Sequence, residues 1–339
     1  MGNGQQNRVG HFDVLRGIGI VLMIMGHVSF GAAFSKYIHA FHMPLFFFVS
    51  GYFHKGEKYV KSIDYIIQKA KTLLIPYTVF VCICQVLHYI YTGTYSSAYL
   101  FVSYFSSNHN RIDVAGAYWF LLCLFSAEII FYFIQKLIFS EWTKLVVIVS
   151  VTLIGNFTPI KFPLCLDSAM SCMFIMYLGC LMRKYKTTKM VSNLLDVKSP
   201  LLVILFFINI LLIFLNGNVN IRTNDYAIVP LFWISCIGAI VCYINLSIKI
   251  ESAKNVFFIY FAKVLKYIGK NSLVYLVLNE MMIFFVNSIL SFLGVDFMNS
   301  GEVLWYANKI LTFTICMILL WISVEMFNRT KLKVLLGKF

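Results

Sequence analysis

At 339 residues, 60% hydrophobic and only 12% charged, the chain carries about half the ~25% charged residues of a typical soluble domain. Apolar runs near 20 residues long recur throughout, which excludes a soluble globular protein and predicts one integral-membrane domain over 1–339. The net charge of +14 would suit nucleic acid, but Lys and Arg fall in short clusters between apolar runs. That is the positive-inside pattern of a multi-pass protein, so membrane lipids and no nucleic acid are the expected surroundings.

In chain order, ten spans are predicted at 12–33, 37–54, 72–92, 117–138, 142–157, 164–183, 200–216, 228–248, 272–293 and 303–327. With the N-terminus inside, 23 of the 28 basic residues fall on the cytoplasmic side, leaving Lys36, Arg111, Lys161, Arg222 and Lys309 outside. This split predicts an all-α polytopic protein of about ten transmembrane helices, both termini cytoplasmic, in the inner or plasma membrane. The longest outer loop, 93–116, offers Asn108, His109, Asn110, Arg111 and Asp113 to a polar substrate or simply to solvent. Between spans eight and nine, ESAKNVFFIYFAKVLKYIGKNS alternates Lys with aromatics and predicts an amphipathic helix on the cytoplasmic leaflet. The nine cysteines show neither CxxC nor zinc spacing and read as small buried residues. The first ten residues lack the Ser or Thr of a myristoylation signal, and the first apolar run is too long for a signal peptide.

Polar groups inside apolar runs mark candidate sites, because burying them in lipid is costly. Asp13, Arg16 and His27 lie in the first run. Asp13 and Arg16 are spaced i, i+3 and can pair. Arg16 and His27 are eleven positions apart, which places them on one helix face roughly 16 Å apart along the axis. A neutral imidazole there can act as a general base toward a hydroxyl. The competing reading is a buried histidine bonded to a neighbouring helix, with Arg16 snorkelling to lipid phosphate. In the second span, His39 and His42 are spaced i, i+3, Pro44 should kink the helix, and Ser50-Gly51 sits near its inner end. His27, His39 and His42 lack an acidic or Cys ligand beside them, so no metal is expected. Glu128 in span four, nine residues past Trp119, needs a partner or an aqueous cavity, as does Glu280 in span nine. Asp167 can cap the helix of span six or meet an acceptor.

The motifs DVLRG, then His27 with ten residues between it and the Arg, then FHMPLFFFVSGYF resemble the membrane-bound acyltransferase family three. QKAKTLLIPY resembles that family's basic stretch and Leu-x-x-Pro-Tyr. AYWFLLCLF resembles its Trp-Phe-Leu motif, FPLCLDSAMSCMFIMYLGCLMRK its Leu-Asp segment, and YIGKNSLVYLVLN its Gly-Lys-x-Ser-Leu stretch. These matches are ordered along most of the chain and are most similar to the stand-alone, fucose 4-O-acetylase-like members. Two positions depart from the pattern: Lys69 and Lys71 stand where arginines are common, and Asn279 where many members have His.

The resemblance implies transfer of an acyl group, most simply acetyl, from cytoplasmic acyl-CoA (acetyl-CoA) to a hydroxyl of a cell-surface or lipid-linked glycan. It implies His27 as base or transient acyl carrier, with Arg16 and Asp13 beside it in the catalytic set. Lys55, Lys69 and Lys71 are then expected to meet the donor phosphates, and His42, Ser50, Trp119, Glu128 and Asp167 to line the substrate path. The residues alone also permit a transporter or flippase of a polysaccharide precursor, or a non-catalytic partner of a glycan synthase.

Overall fold

A computed structural model describes residues 10–93, 116–294 and 302–337. Every regular element among them is helical, apart from one bridge joining Asn220 and Asp225. The α-helices in order are α1 (Gly10–Val28), α2 (Ala32–His39), α3 (His42–Phe53), α4 (Ser62–Lys69), α5 (Ile75–Thr92), α6 (Trp119–Leu137), α7 (Glu141–Phe157), α8 (Leu166–Ser171), α9 (Met173–Lys184), α10 (Lys189–Leu195), α11 (Ser199–Asn216), α12 (Val229–Ser252), α13 (Val256–Lys270), α14 (Ser272–Phe292) and α15 (Glu302–Arg329). The expected outer loop lies outside the described residues except at its two ends.

Seven described stretches are long and apolar enough to cross a membrane: α1, the α4–α5 unit, α6, α11, α12, α14 and α15. The segment Pro163–Ser171 with Met173–Lys184 makes an eighth if the bent pair is one span, with a 58° break between its halves. Leu164 and Cys165 both have positive φ just before that segment's α-helix, so the chain cannot run straight through. The described residues are therefore helical throughout their regular structure, and the chain is a multi-pass membrane protein.

The remaining two of the ten expected spans are helical but short. The segment 142–157 becomes α7, of 17 residues. The segment 37–54 breaks at Ala40–Phe41 and leaves α3 with 12 residues. Pro44 corrects an expectation: it sits in the first turn of α3, where its missing N–H costs nothing, and so starts that helix rather than kinking it. The first span ends earlier than expected, because Ser29 and Gly31 take positive φ and turn the chain into α2. Pro76 follows a π-helical turn at Ala70–Leu74 that joins α4 to α5. The wider π-turn accommodates a ring that would otherwise strike the preceding turn.

Two helix pairs hold the core by backbone contact. On α3 and α9, a methyl at Gly51 would overlap the Met176 carbonyl, and one at Gly179 the Phe48 carbonyl. On α1 and α13, a methyl at Gly17 would overlap the Leu265 carbonyl, and one at Gly269 the Asp13 carbonyl. Close approach through small residues is how helices associate where lipid removes the hydrophobic drive between them. The amphipathic segment before span nine is thus α13, docked on α1 through Leu265, Ile268 and Gly269, with Phe257, Tyr260 and Val264 exposed. Exposed apolar side chains also cover α11 (Leu201, Ile204, Phe207, Leu211), as a lipid-facing surface requires.

Gly51→Val and Gly179→Val are each expected to destabilise the protein by about 1–3 kcal/mol through overpacking. The measurement is the thermal midpoint of purified protein in detergent.

Candidate active site

Four helices point stripes of residues toward one interior route. On α3 and just past its end the stripe is His42, Phe46, Ser50 and His54. On α6 it is Phe120, Leu124, Glu128, Tyr132 and Lys136, and on α14 it is Ser272, Leu276 and Glu280. All three step by four residues, the spacing that keeps side chains on one helical face. On α1, Arg16, Ile20, Met23 and His27 follow the same route, running with α14 and against α3 and α6.

Three cavities lie in series along these stripes. The first encloses about 450 Å³ around His27, His39, His42, Trp119, Arg222 and Glu280. Here His27 Nδ1 lies 3.0 Å from Glu280 Oε1, and Glu280 Oε2 also accepts from the Gly116 amide. A carboxylate on Nδ1 fixes the ring and its tautomer and leaves Nε2 as the basic nitrogen. His39 Nδ1 donates to the Ser35 carbonyl at 2.6 Å, and His42 Nδ1 to the Ile38 carbonyl at 2.7 Å. A carbonyl only accepts, so both rings turn an acceptor Nε2 outward. The arrangement can remove a proton from a hydroxyl placed beside His27.

The middle cavity, about 210 Å³, takes Arg16, Ile20, Phe46, Ser50, Phe120 and Leu276. Arg16 is held there by Asp13 at 3.3 Å and by the Phe53 ring, 4.8 Å from its guanidinium carbon. The third cavity, about 500 Å³, lies where the ends of α3, α6 and α9 meet, among Lys136, Arg183 and Lys184. Glu57 faces those cations. Burial alone would raise its carboxyl, but its own backbone amide and the Arg183 guanidinium hold it below the ordinary range.

Between the middle and basic cavities stands a buried polar knot. Glu128 is 2% exposed and accepts from Ser50 Oγ, from Tyr65 OH at 2.6 Å and from Lys69 Nζ at 2.7 Å, with His54 Nδ1 at 3.4 Å. Lys69 ends α4 at the π-turn, which turns its side chain inward.

The structure brings His27 and Arg16 onto one route but into different cavities, with His42 and Trp119 beside His27 and Ser50 beside Arg16. Lys69 and Lys71 do not form a joint cluster: Lys69 closes on Glu128, whereas Lys71 is exposed. Lys55, half-buried after α3, lines none of the three cavities. Asp167 is fully buried, lies inside α8 rather than capping it, and bonds Lys161 at 3.4 Å and Asn224 at 3.1 Å. No group of three or more His, Cys, Asp or Glu placed to hold a metal ion occurs among the described residues. Sequence reasoning left Glu280 as a polar group of unassigned role and passed over His54 and Tyr65. The four-residue spacings 42/46/50/54 and 272/276/280 were the signal available.

Removing one partner of a buried ion pair strands the other, at about 3–5 kcal/mol; the partly exposed Lys69 ammonium favours the lower end. Lys69→Met and Glu128→Met should each lower the thermal midpoint, and the double variant should lose less than the sum of the two. Additive losses would show that the pair is not coupled.

Comparison with known proteins yields one match. A family model described as an acyltransferase domain, the acyltransferase 3 type, matches residues 9–322. No curated protein and no solved structure matches. The matched region takes in α1 to α14 and most of α15, and with them every residue of the His27 cavity. The chain belongs to acyltransferase family 3.

Proposed function

We propose that this protein is an O-acyltransferase of the inner or plasma membrane, with both termini cytoplasmic. It moves an acyl group, most simply acetyl, from cytoplasmic acyl-CoA to a hydroxyl of a cell-surface or lipid-linked glycan. The observation that carries this reading is the His27–Glu280 pair in a polar cavity open to a substrate.

In this reading the acceptor sugar occupies the His27 cavity, where Trp119 offers a flat amphipathic face. His27 Nε2 takes the proton of the acceptor hydroxyl as its oxygen attacks the thioester carbonyl. Glu280 stabilises the imidazolium that forms, and the tetrahedral intermediate expels the CoA sulfur, which takes that proton back from His27. The same nitrogen would carry the acyl group if transfer ran in two steps. Arg16, anchored by Asp13 at the middle cavity, is placed to hold the donor along its approach. The positive-inside charge pattern puts the basic cavity on the cytoplasmic side, where acyl-CoA arrives.

Purified protein in nanodiscs with radiolabelled acetyl-CoA and the surface glycan as acceptor tests this reading. His27→Ala should slow transfer by about 10²–10⁴-fold, the range a general base supplies. Glu280→Gln should also slow it markedly, with partial recovery in Glu280→Asp. Full transfer by His27→Ala would overturn the assignment of the base. Mass spectrometry of the glycan with and without the gene would identify the added group.

A further inference from the structure

A fourth cavity, of about 480 Å³, lies apart from the interior route, between α9, α10 and α12. The faces of α9 keep it separate. Gly179 packs on α3, Arg183 and Lys184 turn to the basic cavity, and Leu178, Met182 and Tyr185 face the fourth. Those last three recur at i, i+4 and i+7, one helical face. Ile237 and Val241 on α12, and Met190 and Leu194 on α10, are each spaced i, i+4 and complete the walls. Apart from Tyr185 and Thr188 every lining residue is apolar, and the Thr188 hydroxyl is spent on the Tyr185 carbonyl at 2.8 Å. A cavity without polar groups to hold water stays dry and takes apolar guests.

Size, position and charge identify the guest. A helix with its side chains is about 10–12 Å across, too thick for a space of about 480 Å³, whereas a single hydrocarbon chain is thin enough to enter it. The rim is apolar and open: Met190 is 82% exposed, and Leu194 beside it is exposed as well. α11, which follows α10 in the chain, carries the exposed apolar stripe that meets lipid. The turn from α9 to α10, KYKTTKM from Lys184 to Met190, holds three lysines and no carboxylate. The ion pairs of this end go to Arg183 through Glu57 and to Lys184 through Glu141. Among the described residues none reaches Lys186 or Lys189, which are both exposed. Tyr185 lies between these lysines in the chain and is exposed, with the apolar body and polar tip of a residue at headgroup level. Unneutralised lysines at the mouth of an apolar cavity suit an anionic headgroup above its own hydrocarbon tail.

We propose that this cavity holds one acyl chain of an anionic phospholipid, whose phosphate meets Lys186 and Lys189. The chain fills the space beside α9, whose neighbouring face clamps α3 through Gly179 and Gly51. The lipid thereby props a wall of the interior route from outside. The proposal needs only the multi-pass character of the protein and none of the chemistry assigned to His27.

The test uses the full chain in nanodiscs containing phosphatidylglycerol with a photoactivatable diazirine in one acyl chain, and in parallel phosphatidylcholine labelled in the same way. Peptide mass spectrometry should place the phosphatidylglycerol label around Leu178, Met190 and Val241, above its level on the exposed α11 residues Phe207 and Leu211. Lys186→Gln and Lys189→Gln should each weaken that capture by about fivefold, ~1 kcal/mol for one charge near the membrane surface. Added phosphatidylglycerol should also raise the thermal midpoint of delipidated protein in detergent more than phosphatidylcholine does. Label spread evenly over all exposed helices would show bulk lipid alone and overturn the proposal. Capture of phosphatidylcholine as strong as that of phosphatidylglycerol would overturn it too, as would lysine variants that capture like wild type.

Discussion

A charge in apolar surroundings must find a partner, and in this bundle the partners are what build the interior route. His27 turns to Glu280, Arg16 to Asp13, and Lys69 and Tyr65 to Glu128. The Arg16–Asp13 contact lies within α1, but those of Glu280 and Glu128 join helices that packing alone would leave free to slide, because aliphatic surfaces specify register weakly. The Glu128 contacts tie α3, α4 and α6 at one level, and the His27–Glu280 contact ties α1 to α14 at another. Polar groups that are expensive to bury thereby set which helical faces meet.

The glycine contacts supply the complementary constraint. Reciprocal pairs, Gly51 with Gly179 and Gly17 with Gly269, bring α3 against α9 and α1 against α13 at backbone distance. On α3 Gly51 lies on the side away from the route stripe, and on α1 Gly17 lies about a quarter-turn from it, so the two helices are held at the back and at the side while their polar faces look inward. Rigid backing of this kind is what a catalytic histidine needs if its carboxylate partner comes from a distant helix.

Much of this was legible in the chain, and the illegible part has a common cause. The shared face of Arg16 and His27 follows from local spacing, and so do the helices that became α1, α6, α11, α12, α14 and α15. The second expected span failed because its break at Ala40–Phe41 carries no Gly or Pro, while Pro44, the visible breaker, begins a helix instead. Glu280 could not be assigned to His27 from spacing, since the two are 253 positions apart and meet only through packing. Lys69 is different. Two residues from Lys71, it must point to another face of the helix, so local geometry already argued against a joint phosphate cluster.

The cavity profile bears on how an acyl group covers the distance between Arg16 and His27. The two end cavities enclose about 500 and 450 Å³, and the middle one about 210 Å³. Between the basic and middle cavities stands the buried Glu128 knot. On the acyl-CoA reading, the donor arm, a thin extended chain with its thioester at the tip, reaches the middle cavity past this knot and runs along Phe46, Phe120 and Leu276. The bulky parts of donor and acceptor then never have to pass each other, and the closed knot keeps water from the thioester before transfer.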